Sequence, residues 1–374
     1  MPKRILQFGT SRFLQAHADL FVHQARQEGQ DIGPITVVKI SPGLERAGRL
    51  SYLARPEGFP VEVRGVVEGR MVQHTHVVTS VTATLSAIDD WPRLLTVFAS
   101  ETEIVISNVG ETGYDIPPSD RIRDFGPSGI PTSFPAKLLA LLSARFAAGA
   151  KPLLVLPCEL VAFNGAVLRR ALTGLAEDWS VSREFGEWLE NSVTICNTLV
   201  DRIVPLALDP IGAVAEPYAL WAIEYAPGTI LPFTHPSVVP TPDIEPFMRL
   251  KLHILNLGHT YLAKLWIDEA RNPAETVRQI LLDPDIRQKL LSLYNDEVIP
   301  GFAEHGMAEA AVSYVRTTMD RFDNPFLAHP LADIAQNHDV KIARRCQAFL
   351  DWVRATDTLP PMPRLTQICS SLSG

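Results

Sequence analysis

The spacing of apolar residues changes character partway along the chain. In the first part the apolar positions fall into short runs broken by glycine and polar turns. Ile5 to Phe8 reads as a strand, Gly9 turns the chain, and Phe13, Leu14, Ala18 and Phe21 then recur at helical spacing, with Ser11 placed to cap that helix. Ile35 to Ser41 is a second apolar strand, so the three form one βαβ unit with a right-handed crossover. Val61 to Val78 and Thr79 to Ile88 read as extended, partly antiparallel chain. Glu103 to Tyr114 is a buried strand running into a polar loop. Pro135 to Ala150 is a helix with proline suited to its first turn, and Pro152 to Gly165 is a strand with a loop after it. The alternation predicts an α/β doubly wound parallel sheet.

From about Asn191 the texture changes. Prolines at 227, 232, 236, 240, 242 and 246 exclude sustained helix, whereas the periodicity beyond predicts helices near 248–271, 273–293, 302–319 and 327–354. The expected division is therefore a dinucleotide-binding domain with a β extension over 1–242, then a mostly α-helical domain over 243–374 carrying substrate and catalytic groups. The last stretch, "PPMPRLTQICSSLSG", is expected to be loosely attached.

Composition narrows the classes. The chain has 374 residues, 46% hydrophobic and 20% charged, enough for two domains. A formal net charge of -8 argues against a general nucleic-acid binder. The four cysteines are far apart, so neither a metal site nor a disulfide framework is expected. No run approaches the ~18 apolar residues of a spanning helix, and no signal-peptide pattern is seen. A cytoplasmic protein, monomer or small homo-oligomer, acting on a small molecule without membrane or nucleic-acid partners, is the expectation.

Four stretches carry candidate chemistry. "QFGTSRF" is a glycine turn between strand and helix, where the backbone N–H groups of Phe8, Gly9, Thr10, Ser11, Arg12 and Phe13 can meet a pyrophosphate; only Gly9 is glycine, and Ser11 takes the second glycine position. After the second strand, Glu45 can hold the adenosine ribose as in NAD sites, while Lys39 or Arg46 can meet a 2′-phosphate, leaving NADP open. "SNVGETGY" ends a buried strand and offers Asn108 and Glu111 to the nicotinamide end. "KLHILNLGH" puts Lys251, Asn256 and His259 into an apolar helix, all within one arc of an α-helical wheel, with His253 pointing away. A lysine can exchange a proton, an asparagine amide can stabilise an alkoxide, and a histidine can hold a hydroxyl. Asn197, in "CNTLVDRIVP", is a further amide donor. Near "DRFDNPFLAH", Arg321, Asn324, His329 and then Lys341 are candidate substrate contacts, an arginine fork suiting a carboxylate.

These segments together resemble the polyol-type long-chain dehydrogenases, the mannitol dehydrogenase family, whose K-x4-N-x2-H signature "KLHILNLGH" matches. "RILQFGTSRFLQA", "SFPAKLLALLSARF", "LPCELVAFNG", "NTLVDRIVP" and "RFDNPFLAH" have counterparts in order, and their wording is closest to the hexuronate branch, the tagaturonate reductases or altronate oxidoreductases. The resemblance implies a Rossmann-type domain followed by a helical one, with the active site between them and no metal. It also implies NAD(P)-dependent interconversion of a keto-hexuronate (tagaturonate or fructuronate) and its aldonate (altronate or mannonate). In that family the lysine is the acid/base and asparagines form the oxyanion site, roles that fall on Lys251, Asn256 and Asn197. His259 then orients substrate and Arg321 contacts it. The alternatives are a mannitol or other polyol 2-dehydrogenase, or a non-catalytic nucleotide-binding sensor on the same fold.

Overall fold

The computed structural model describes residues 3–40, 47–110, 112–122, 129–225, 229–355 and 361–370. The chain forms two compact units. The first is Met1–Glu62, His74–Ala215 and Ala219–Ile244; the second is Val63–Gln73, Glu216–Tyr218 and Glu245–Gly374.

The strands, in chain order, are β1 Lys3–Phe8, β2 Ile32–Lys39, β3 Phe59–Val67, β4 Arg70–Val78, β5 Val81–Ser86, β6 Thr102–Ser107, β7 Leu153–Pro157 and β8 Val193–Ile195. Six of them build one sheet in the order β5-β2-β1-β6-β7-β8, and every neighbouring pair is parallel. Nearly continuous burial along β1, β2 and β6 fits a sheet covered on both faces. The chain fills one side of β1 first and then the other, so the order reverses between β1 and β6. At such a reversal the carboxyl ends of the strands leave a crevice for ligands.

One strand departs from expectation. β3 and β4 form a hairpin through Glu68 and Gly69, which supply φ of 51° and 72° for the tight turn. Thr79 to Ile88 does not continue that antiparallel pattern: β5 pairs parallel with β2 inside the main sheet. Its half-polar face had hidden a place at the sheet edge, where one side packs and the other meets solvent.

A smaller sheet follows in the first unit, with β9 Thr198–Asp201, β12 Leu220–Glu224 and β13 Val238–Thr241 in the order β13-β12-β9. The short strands β10 Leu206–Ala207 and β11 Ala213–Ala215 pair with each other.

The second unit is helical around a core that includes Ile254, Leu257, Leu262, Leu290, Phe302 and Phe349. Helix forms in each expected stretch, but not as four unbroken helices: 273–293 gives Val277–Ile280 and Pro284–Leu293, 302–319 gives the end of Ile299–Ala303 and then Ala308–Phe322, and three π-turns interrupt the winding. Glu245–Leu250 passes through a π-turn at Lys251–Asn256 into Leu257–Asp268; similar turns lie at Tyr294–Val298 and Ala343–Gln347. The expected helix over 327–354 is also broken at Asn337, which adopts φ of 53°. The described part of the C-terminal stretch, residues 361–370, is attached firmly, against expectation. Residues Pro363–Ser370 form a helix whose Leu365, Ile368 and Cys369 are buried, and the fully buried Glu297 carboxylate accepts the N–H groups of Arg364 and Leu365 at its start. The proline-rich approach had concealed the apolar i, i+3, i+4 stripe behind it.

Asp19, in the first turn of the helix Ala18–Gln27, has no exposed surface. Burial pushes its carboxyl up to about 8, with Gln7 beside it pulling the other way. The folded state thus holds this proton more tightly than the unfolded chain, whose Asp titrates near ~3.9. The associated stability is full below about pH 4, declines as pH rises towards 8, and then levels off. Asp19→Asn removes the titration. Denaturation at pH 5 and pH 8 is expected to show the wild type losing stability relative to the variant, by no more than about 1.4 kcal/mol per pH unit. A difference that stays constant with pH contradicts a neutral Asp19.

Candidate functional site

At the reversal point of the sheet, the turn after β1 is shaped by Gly9. Its φ is 122°, and a Cβ there would sit 2.5 Å from the Asn108 carbonyl oxygen. Gly9 N–H reaches Val38 O at 3.1 Å and Asn108 N–H reaches Phe8 O at 2.9 Å, so three strands converge on the turn. Ser11 Oγ caps the one-turn helix Arg12–Gln15 by accepting Leu14 N–H, and donates to Asn108 Oδ1 at 3.2 Å. Serine at the second glycine position therefore stitches the turn to the loop after β6. The N–H groups of Thr10, Ser11, Arg12 and Phe13 donate to nothing among the described residues. A groove of about 260 Å³ beside them is lined by Thr10, Ser11, Arg12, Leu50, Ala207 and Ile211. Consecutive unpaired donors beside an open groove fit a dinucleotide's pyrophosphate. Phe8 is fully buried and serves the core, while Phe13 stacks on His17 at 4.7 Å. Glu45 and Glu111 lie outside the described residues.

The loop after β6 rests on a residue that sequence reasoning passed over. Glu159 is buried, and its carboxylate accepts from Ser107 Oγ, Val109 N–H and Tyr114 Oη at 3.2, 3.1 and 2.7 Å. Burial raises its pKa; the three donors pull it back. Asn108 itself is half-buried and donates Nδ2 to Cys158 O at 2.7 Å.

Asn197 is oriented on both sides. Its Oδ1 accepts Ala166 N–H at 2.8 Å, at the start of the helix Asn164–Asp178, and its Nδ2 donates to Glu224 Oε2 at 2.6 Å. Glu224 is held in turn by Ile244 N–H at 3.1 Å. Gly165 permits this approach, since a Cβ there would lie 2.3 Å from Cys196 O. With the amide face fixed, one Nδ2–H remains to donate.

In the second unit the candidate residues stand on the π-turn. Leu257 N–H reaches back to Leu252 O, an i→i−5 bond. The extra residue rewinds everything beyond it by about 100° relative to a plain α-helix. Lys251, Asn256 and His259, spread over about 140° on an α-helical wheel, close to an arc of about 60°. Spacing of five and eight thus behaves as four and seven. Lys251 and Asn256 are half-buried and His259 is buried. His253 faces the core, 5.2 Å from Phe349 and stacked on Trp352. His259 packs on Phe322 at 4.7 Å and edge-on to His329 at 4.7 Å, so these two candidates meet; burial lowers the His329 pKa, opposed by Asp333.

The other substrate candidates are placed differently. Arg321 is buried, with Nε and Nη2 on the two oxygens of the fully buried Glu216 at 3.0 and 2.8 Å, and Tyr218 lies 4.5 Å from its guanidinium carbon. The fork expected for a substrate carboxylate already holds one. Asn324 is buried and joins Arg64 O to Phe326 N–H, within the space that Gly65 leaves by lacking a Cβ. Lys341 donates to Ile334 O at 2.7 Å, and burial lowers its pKa.

The parallel sheet and its donor-rich turn define the first unit as a dinucleotide-binding α/β domain of the Rossmann class. The chain belongs to the mannitol dehydrogenase family: residues 3–230 match the mannitol dehydrogenase Rossmann domain and residues 243–366 the mannitol dehydrogenase C-terminal domain. It is accordingly a dehydrogenase acting on a CH–OH group. An altronate oxidoreductase of Halalkalibacterium halodurans is 30% identical over 96% of this chain and 73% of that protein; one from Klebsiella pneumoniae is 29% identical over 99% and 79%. Among solved structures, a D-sorbitol dehydrogenase in substrate-free form has a TM-score of 0.78 at 21% identity, covering 95% of this chain and 76% of that one. The Pseudomonas fluorescens mannitol 2-dehydrogenase ternary complex with NAD and D-mannitol has a TM-score of 0.70 at 22% identity, covering 100% and 85%; at such identities both speak for the fold. Among the described residues no helix is long and apolar enough to cross a membrane.

Gly258 lets the Tyr294 hydroxyl approach the π-turn, where it donates to Ile254 O at 3.0 Å; a Cβ at Gly258 would lie 1.9 Å from that oxygen. Gly258→Ala is expected to destabilise the protein by about 1–3 kcal/mol, as overpacking does. Adding Tyr294→Phe should return part of that loss, so a double-mutant cycle in denaturant is non-additive. Additive losses contradict the contact.

Proposed function

We propose that the protein interconverts a keto-hexuronate, tagaturonate or fructuronate, and its aldonate, altronate or mannonate, with NAD as the coenzyme. The observation that carries this reading is the π-turn at Lys251–Asn256, whose extra residue narrows the arc from Lys251 to His259 to about 60°. The substrate class rests on the altronate oxidoreductases among the relatives. The coenzyme rests on the N–H groups of Thr10 to Phe13, unpaired among the described residues, beside their groove, and on the NAD held in the mannitol 2-dehydrogenase ternary complex.

When bound, NADH supplies the hydride that adds to the ketone carbon. The carbonyl oxygen gains negative charge in that step, and the Nδ2–H of Asn256 donates to it. In the first unit, Glu224 and Ala166 hold the Asn197 amide with one N–H left to donate. Lys251 Nζ gives its proton to the same oxygen, completing the alcohol, and takes one back from solvent; in oxidation it removes the proton. His259 and His329, in edge contact, hold substrate hydroxyls. Arg321 and Asn324 act as supports of this surface, since Glu216 and the backbone already engage them.

A second reading is oxidation of a neutral polyol such as mannitol. The closed Arg321–Glu216 pair favours it, because it removes the carboxylate grip a uronate was expected to use. A panel of uronates, aldonates, mannitol, sorbitol and sugar phosphates, each with NAD and NADP and followed at the reduced-nicotinamide absorbance, separates the two. The proposal predicts turnover of a hexuronate–aldonate pair with NAD; activity confined to neutral polyols overturns the substrate class. Lys251→Ala is expected to lower turnover at least about 100-fold, the upper part of what acid–base catalysis contributes, with coenzyme affinity unchanged. Near-normal turnover in that variant removes the assignment of Lys251, and coenzyme binding with no turnover of any substrate by the wild type favours a sensor.

A further inference from the structure

A π-turn frees backbone carbonyls from their usual i+4 partners, and each must find another donor or lose stability. Around Lys251–Asn256 those donors come from the two other π-turns of the unit, both of which pack against this one. Tyr294 Oη donates to Ile254 O at 3.0 Å. Arg345 Nη1 donates to Asn256 O at 3.2 Å and to Thr260 Oγ1 at 3.0 Å, while Thr260 Oγ1 donates to Asn256 O at 3.1 Å. His253 lies 3.0 Å, through Nδ1, from the Arg345 carbonyl. A carbonyl only accepts, so Nδ1 carries the hydrogen. Burial lowers the His253 pKa to about 4, which keeps the ring neutral with that hydrogen in place near neutral pH. Arg345 thus grips the turn twice: its carbonyl holds residue 253 and its guanidinium holds residues 256 and 260.

We propose that Arg345 is a positioning residue for the reaction: by clamping the π-turn it keeps Lys251 and Asn256 on one face, and so governs the proton-transfer step. This rests on the proposed roles of those two residues. The charge suits the task, because a guanidinium bonds to a carbonyl about twice as strongly as a neutral donor. Geometry suits it too, because one planar Nη1 serves two acceptors four residues apart, the spacing of a helical turn. Losing the clamp lets the turn revert towards α-helical winding, which would rotate Lys251 away from Asn256 by about 100°.

The test compares Arg345→Met, Arg345→Lys and Lys251→Ala in the full chain, with the substrate the panel identifies. Four quantities are read: kcat per active site, coenzyme affinity, solvent deuterium isotope effect on kcat, and amide exchange over 250–260. Arg345→Met is expected to lower kcat between about 10- and 100-fold, the scale of a misplaced catalytic group. Coenzyme affinity should stay within about twofold, the solvent isotope effect should rise, and exchange in the segment should quicken; Arg345→Lys should recover part of kcat. A merely structural role moves the folded fraction and leaves kcat per active site and the isotope effect alone. If Arg345→Met does not fold, Arg345→Lys decides: wild-type kcat and isotope effect with quickened exchange overturn the proposal. Lys251→Ala inactive beside a fully active Arg345→Met sinks this inference only. Lys251→Ala fully active removes the underlying reading and this inference with it.

Discussion

One backbone hydrogen bond, from Leu257 N–H to Leu252 O, sets the winding of the segment that carries the proposed acid/base. By closing on the fifth residue it inserts one extra position, and it turns an awkward spacing of lysine, asparagine and histidine into a single stripe. The changed winding leaves carbonyl lone pairs open to side-chain donors. Tyr294 donates to Ile254 O, which also accepts Leu257 N–H, and Thr260 and Arg345 donate to Asn256 O; Gly258 is needed so that Tyr294 can come close enough. Such a turn survives only where tertiary contacts over-determine it, as the surrounding core of Leu257, Leu262, Phe302 and Phe349 does.

In the first unit buried polar groups play the corresponding part. Glu159 ties Ser107, Val109 and Tyr114 into one loop, Asn164 joins Pro157 O to Thr198 N–H, and Asn197 lies between Ala166 and Glu224. Each carboxylate or amide takes at least one backbone group at a strand or helix end, with Ser107, Tyr114 and Glu224 side chains completing the set, so the loops at the carboxyl edge of the sheet are fixed rather than left to choose among conformations. Arg321 and Glu216 follow the same logic in the second unit: removing either partner would leave a buried charge, which makes the pair a structural commitment.

Much of this was legible in the sequence where the signal is local. Strand–glycine–helix–strand over Ile5 to Ser41 led to the parallel sheet, and lysine, asparagine and histidine within a leucine-rich segment marked the stripe. What was illegible depends on partners distant along the chain. A wheel built on 100° per residue has no place for a π-turn, and nothing near Tyr294 or Arg345 announces that their polar ends reach residues 254 and 256. Glu159 and Glu224 read as ordinary acids until their backbone donors are seen. Arg321 read as a free fork because Glu216 lies 105 residues away. Thr79 to Ile88 and the proline-flanked C-terminal helix were misread for a simpler reason: one-sided burial at an edge gives a weak pattern.

The central claim is that the π-turn presents Lys251 to the carbon that exchanges hydride. The most direct measurement is a crystal structure of the protein with NAD and the aldonate bound. The expected result is Lys251 Nζ and the amide nitrogen of Asn256 within hydrogen-bond distance, about 2.6–3.2 Å, of the one hydroxyl oxygen whose carbon faces the nicotinamide. A complex in which Lys251 points away from that oxygen, or in which Lys251–Asn256 winds as plain α-helix, would contradict it.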